Sequence, residues 1–136
     1  MRRAGHAATY QAIIAAISDD ALDTLPELVA AGVVDHNALP GQPEGLSGFT
    51  HWARSARGAF SDLSGTVEDL LADVDRVAGR VTWHGTHSGD FLGVPATGST
   101  VQFSAFHIVR FSSGLAAEWW GVADLLTALD QVGARD

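Results

Sequence analysis

The spacing of apolar residues changes character once along this chain, near Ser61-Asp62. Before that point the period is helical. Tyr10, Ile13, Ile14 and Ile17 make a stripe within an Ala-rich run, which predicts a helix over residues 7–17. Ser18-Asp19-Asp20 breaks it and caps a second helix over residues 21–31, disturbed by Pro26 and ended by Gly32. Val33 to Asn37 reads as a short extended piece that runs into the loop Pro40-Gly41-Gln42-Pro43. Residues 46–60 predict a third helix capped at Ser47. Its apolar side carries Phe49, Trp52, Ala53, Ala56 and Phe60, and Arg54 and Arg57 take a solvated side.

After Asp62 the period is that of strands. Residues 66–72 form one, Asp73-Val74-Asp75 a turn, and residues 76–87 a longer strand with Val77, Gly79, Val81, Trp83, Gly85 and His87 on one face. A Gly-rich connection spans residues 88–100, where the glycines serve turns and no helix follows to make a phosphate cradle. Val101, Phe103, Ala105, His107, Val109 and Phe111 then share one strand face, and Ser112-Ser113-Gly114 turns the chain into a last strand from Leu115. A short helix over residues 125–132 closes the chain. Helices first and long strands afterwards predict an α+β fold, one domain over residues 1–136, with helices covering one face of an antiparallel sheet. A strongly curved sheet of this kind leaves a pocket at its wide end.

Composition narrows the chemistry. The net charge of −8 argues against nucleic-acid binding, which needs a basic surface. No apolar run approaches membrane-spanning length, and the start of the chain, with Arg2 and Arg3 followed by His6, Thr9, Tyr10 and Gln11, makes a poor signal peptide, so a cytoplasmic protein is expected. There is no cysteine, hence no thiolate nucleophile and no Cys-based metal site. All eight basic residues are arginine, so lysine Schiff-base chemistry is excluded. Carboxylate, imidazole, hydroxyl and indole remain.

The segment Leu115 to Leu126 holds two of the four tryptophans and sets Glu118 and Asp124 among apolar residues. As one unbroken strand it puts Glu118, Trp120, Val122 and Asp124 on one face. Such an acid either has a raised pKa and a task, or Glu118 pairs with an arginine while Asp124 caps the helix that starts at Leu125; from this stretch alone the second reading is favoured. A single bulge would exchange the faces of Trp119 and Trp120. His107 lies mid-strand on an apolar face, either a satisfied core histidine or, beside Asp124, half of an acid/base pair. His84 and His87 point to opposite faces of a strand and make a poor metal pair. Trp83, Trp120, Phe49 and Trp52 read as core or as walls that stack an aromatic ligand. His36 and Asn37 read as turn chemistry or as a pocket wall.

Several segments in order carry a resemblance: Val34-Asp35-His36-Asn37-Ala38-Leu39-Pro40-Gly41-Gln42-Pro43-Glu44-Gly45-Leu46, then Gly85-Thr86-His87-Ser88-Gly89-Asp90-Phe91-Leu92-Gly93-Val94-Pro95, then Thr97-Gly98, then Glu118-Trp119-Trp120 with Asp124. Together, over residues 34–133, they resemble the SnoaL-like polyketide cyclases. The resemblance implies an NTF2-like cone, a curved antiparallel sheet with N-terminal helices enclosing an apolar pocket, and a homo-oligomer, dimer or tetramer. It implies closure of the last ring of an aromatic polyketide by intramolecular aldol reaction, without metal or organic cofactor. Asp124 matches the family's catalytic aspartate and His107 a pocket histidine. Two departures stand out: the family often has Glu-His-Trp where this chain has Glu118-Trp119-Trp120, and Ala96 replaces the proline usual before Thr97-Gly98.

The resulting expectation is Asp124 as acid/base and His107 as its proton partner. An aspartate near pKa ~3.9 would need raising by burial beside Trp120 and Val122. Tyr10, Phe49, Trp52, Trp83 and Trp120 would contact an aromatic or polyketide substrate, with His36, Asn37 and His87 as polar contacts. Three rivals stand beside it: a hydroxylase or epoxide hydrolase in the same pocket, a non-catalytic binding protein, and a scaffold whose pocket is filled by its own side chains.

Overall fold

The computed structural model describes residues 3–133; residues 1–2 and 134–136, Arg2 among them, lie outside the described residues. Helix α1 (Arg3–Ser18) buries the predicted stripe, with Tyr10, Ile13 and Ile17 fully enclosed. Each such aliphatic side chain is worth about 2–3 kcal/mol of burial. A 3₁₀ helix (Leu22–Glu27), β1 (Val29–Asp35), α2 (Gly45–Ala59), β2 (Ser64–Ala72), β3 (Arg76–Thr86), β4 (Thr100–Ser112), β5 (Leu115–Ala123) and α3 (Leu125–Gln131) follow. The five strands form one curved sheet in the order β1-β5-β4-β3-β2. The helices cover its inner face, α1 against β2 and β3 and α2 against β1.

Three local expectations are corrected. The helix expected over residues 21–31 is a 3₁₀ helix of six residues that ends before a strand. Pro26 supplies no amide for a continuing helix, and Val29, Val33 and Val34 fit a pleated surface once β5 offers an edge. β1 pairs with β5 in parallel, so the sheet is antiparallel only from β5 to β2. α2 begins at Gly45 after Glu44 without a side-chain cap, and Ser47 lies inside its first turn.

Arg57 was expected on a solvated face and instead ties two helices together. Its guanidinium donates to the carbonyls of Ile17, Ser18, Leu63 and Ser61 at 2.7–3.1 Å. It also pairs with Asp20 at 3.3 Å. The last carbonyls of α1 have no partners within the helix, and a planar five-donor fork is suited to collecting them.

Candidate active site

Between α2, the 88–99 connection and the inner face of β3 to β5 lies an apolar cavity of about 270 Å³. Phe49, Trp52, Trp83, Phe91, Phe103 and Trp119 supply its aromatic walls. Its polar groups are few: Asp35, Asn37 and Gln42 from β1 and the loop after it, Ser55 from α2, Asp90, and His107 from β4. An apolar enclosure with a handful of polar side chains is the usual form of a small-molecule site, and 270 Å³ is at the small end of that class.

β5 decides which side chains of Leu115 to Leu126 reach this cavity. Phe111 faces Ala116 and Arg110 faces Glu118, so Ala117 is an extra residue in β5, a bulge. Beyond the bulge every side chain changes face. Trp119, Gly121 and Ala123 turn inward beside Val109, His107 and Ala105, whereas Glu118, Trp120 and Val122 turn outward. The unbroken alternation read from the sequence therefore does not hold, and the pocket indole is Trp119 rather than Trp120. Outside, Glu118 accepts from Arg110 Nε and from His36 Nε2 at 2.8 Å, and His36 stacks flat on Trp120 with ring centroids 4.3 Å apart. His36 and Trp120 thus sit on the outer face of the sheet.

Asp124 caps α3. One carboxylate oxygen accepts from the Thr127 amide at 3.1 Å and the other from the Thr127 hydroxyl at 2.6 Å. These bonds hold its carboxyl below the usual aspartate range, the reverse of the shift a base at neutral pH needs. It is not among the residues that line the cavity. Glu118 with an arginine and Asp124 as a cap are the assignments favoured from that stretch taken alone.

His107 is where the structure concentrates chemistry. The Tyr10 hydroxyl lies 2.8 Å from its Nδ1. Tyr10 is fully enclosed and its hydroxyl has no other partner among the described residues, so a phenol that donates to Nδ1, with the imidazole proton on Nε2, is the arrangement that leaves no enclosed hydroxyl proton unpaired. Nε2 has no partner among the described residues and is left for the cavity the ring lines. Burial pushes the His107 pKa down to about 4 and the Tyr10 phenol up, so at neutral pH the pair is uncharged. A neutral imidazole with Nε2–H toward a cavity is a donor to a carbonyl oxygen.

The neighbours of His107 in the adjacent strands are both glycine, Gly79 on β3 and Gly121 on β5. A Cβ at Gly79 would lie 2.4 Å from the Tyr10 hydroxyl oxygen, and one at Gly121 would lie 3.0 Å from both His107 Cδ2 and Trp119 Nε1. Gly79 thereby admits the tyrosine to the histidine, and Gly121 leaves open the space that His107 and Trp119 both approach.

The structure brings His107, Asn37, Phe49, Trp52 and Trp83 to one cavity, with Tyr10 behind His107. Asn37 is held at the rim by the Gly121 amide, which donates to its Oδ1 at 2.9 Å. His87 is elsewhere: fully buried, it donates from Nε2 to the Val94 carbonyl and accepts at Nδ1 from Thr97, pinning the 88–99 connection. Sequence reasoning passed over Asp35 and Gln42 as pocket groups and left Trp119 and Trp120 as alternatives, between which the bulge decides. Asp35 shares a strand face with buried Val33 and is the register partner of Trp119, a two-residue spacing that could have flagged it. Among the described residues no group of three or more His, Cys, Asp or Glu is placed to hold a metal ion, and no helix is long and apolar enough to cross a membrane.

Comparison with solved structures finds the same architecture in TsrD from Streptomyces laurentii, 27% identical with a TM-score of 0.91 over 99% of each chain. IdmH from Streptomyces antibioticus, a candidate polyketide cyclase, is 32% identical with a TM-score of 0.83 over 94% of this chain and 98% of its own. AclR from Streptomyces galilaeus, a candidate hydroxylase, is 26% identical with a TM-score of 0.86 over 98% and 99%. No curated protein matches the sequence. The profile of the SnoaL-like polyketide cyclases matches residues 7–132, and with the NTF2-like fold and the aromatic cavity already described, the chain belongs to the SnoaL-like polyketide cyclase family.

Proposed function

We propose that the protein closes a ring in an aromatic polyketide intermediate by intramolecular aldol addition, with Asp35 as the base and His107 as the group that polarises the carbonyl oxygen beside the acidic C–H. The observation that carries the reading is the neutral His107, backed by Tyr10, in the wall of an aromatic cavity that a carboxylate also lines. A carbon between two carbonyls is acidic enough for a lone carboxylate, so neither Schiff base nor metal is required. The Asp35 carboxylate is aimed by the Asn37 amide at 3.1 Å and the Gln42 side-chain amide at 3.0 Å, one on each oxygen. It removes the C–H proton. The enolate carbon then adds to the second carbonyl, and protonated Asp35 returns the proton to the new alkoxide, so that no atom is gained or lost. Aromatic walls that hold a flexible chain folded on itself supply effective molarity worth several kcal/mol.

The outer face of the sheet supports a homodimer as part of the same reading. Leu71, Phe106, Ile108 and Val122 are 73, 59, 47 and 67% exposed; Phe106 is opposite Val122, and Leu71 is separated from Ile108 by Ala78 of β3, with Trp120 on the far side of Ile108. Exposed apolar area of this kind is usual at an interface between chains.

The test is mass-resolved product analysis on a panel of aromatic β-keto esters and polyketide-type substrates, with Asp35→Asn and Asp124→Asn as the informative pair. Ring closure at unchanged mass, reduced about 10²–10⁴-fold in Asp35→Asn, is expected. Asp124→Asn should keep kcat within a few-fold once folded. The opposite ranking would return the base to Asp124. A product heavier by one oxygen would move the chain to the hydroxylase reaction named for AclR.

A further inference from the structure

We infer that the indole N–H of Trp119 and the Nε2–H of His107 together grip one oxygen of the substrate, as a carbonyl on binding and as an enolate once its proton has left. This rests on the aldol reading above and deepens it, giving the cavity a two-donor oxyanion site.

Trp119 is held on three sides. Phe49 packs edge-on at 4.9 Å between centroids, Tyr10 stacks at 6.2 Å, and His107 lies at 4.8 Å. The side chain is only 4% exposed, yet its Nε1–H, a donor and never an acceptor, has no partner among the described residues. This N–H is not sealed in, since the one enclosed side-chain polar atom without a partner among the described residues is His6 Nδ1. What surrounds the indole is aromatic carbon, an imidazole edge and the cavity that it lines.

The two rings border one space. The point where a side chain would begin at Gly121 is 3.0 Å from Trp119 Nε1 and 3.0 Å from His107 Cδ2, the carbon bonded to Nε2. A ligand oxygen in the space beside Gly121 would therefore meet the indole nitrogen and the imidazole edge next to Nε2. The Gly121 amide does not compete, because it already donates to Asn37. Two donors without an acceptor suit an oxygen that gains negative charge. They are worth most in a dry apolar wall, where they need no reorganisation as the charge develops. The substrate class follows: an aromatic ring for the walls, bearing a carbonyl aimed at Gly121 with the acidic C–H beside it toward Asp35. The resemblance makes position 119 often histidine, another N–H donor, so the indole keeps the donor while adding a ring face.

The probe is 4-nitrophenol, whose phenolate mimics an enolate and is read by its visible absorbance, against 4-nitroanisole, which has the same ring, carries a methyl on that oxygen and cannot ionise. Binding is measured in Asp35→Asn protein, so that the carboxylate does not repel the anion. Phenolate should bind about tenfold or more tightly than 4-nitroanisole. Adding Trp119→Phe should cut that preference several-fold, leaving the share that His107 supplies, while 4-nitroanisole affinity stays, and adding Trp119→His should retain it. In the otherwise unchanged protein, Trp119→Phe should lower kcat about 10²-fold with little change in KM. An undiminished phenolate preference in the Trp119→Phe protein, or none before that change, overturns the site. A preference cut as expected, with no ring-closed product from any substrate, would keep the oxygen site and sink the aldol reading. Ring closure with kcat unaffected by Trp119→Phe would do the reverse.

Discussion

A histidine placed as His107 is has consequences that reach beyond the site. Its pKa is about 4 in the folded protein and near 6.5 when unfolded, so between those values the unfolded chain binds more protons. Stability from this group is therefore full above pH 6.5 and is lost as pH falls toward 4, by about 3 kcal/mol at the end of the window. His107→Gln should flatten the stability-versus-pH curve between pH 6.5 and 4, as followed by urea midpoints; a wild-type slope that survives this change would mean that His107 is not buried neutral. Asp62, Glu118 and Asp124 have lowered pKa values, so their contributions are lost only at more acidic pH. At this scale the sequence identified His107 from its place on an apolar strand face. It could not supply the Tyr10 hydroxyl, 97 positions away, because nothing local couples a helix stripe to one strand residue.

Elements follow from pattern where pattern is long and fail where a few residues compete. β3 and β4 have the inward faces their alternation predicts, and α1 buries its stripe. The segment after Ser18 misled because alanine and leucine favour a helix, whereas Pro26 and the edge of β5 decided otherwise. Arg57 shows the same limit. Helical periodicity puts it on the polar side of α2, but that side meets the carboxyl end of α1, and the guanidinium satisfies carbonyls that would otherwise lose water without gaining a partner. Arg57→Ala should cost about 2 kcal/mol, and Arg57→Lys should recover only part of it, since an ammonium cannot span four carbonyls. A shift in urea midpoint at unchanged slope would establish this. An unchanged midpoint would mean that water serves those carbonyls equally well.

Over the whole molecule the sheet has two faces with different fates. The inner one meets helices and encloses the cavity. The outer one carries Leu71, Phe106, Ile108 and Val122 in the open, with a hydrogen-bonded polar cluster of His36, Arg110 and Glu118 to one side. Stable interfaces bury roughly 800 Å² per partner, and a five-stranded face can supply that area. A dimer through this face predicts that Phe106→Arg with Ile108→Lys yields a monomer by sedimentation with the fold intact by circular dichroism. Wild-type protein that sediments as a monomer at micromolar concentration would contradict it.

The sequence alone determined the class of fold, the inward faces of β3 and β4, and the exclusion of thiolate and lysine chemistry, because periodicity and the absence of a residue type are properties of a string. It also carried the family, through ordered motifs spread along the chain. Tertiary structure decided which side chains meet at the cavity. One extra residue in β5, Ala117, turned Trp119 inward and Trp120 outward. One helix cap occupied both oxygens of Asp124. A parallel pairing brought Asp35 beside Trp119. Each of these depends on which strand lies next to which and in what register, and a shift of one residue reverses a face without altering composition or hydrophobic content.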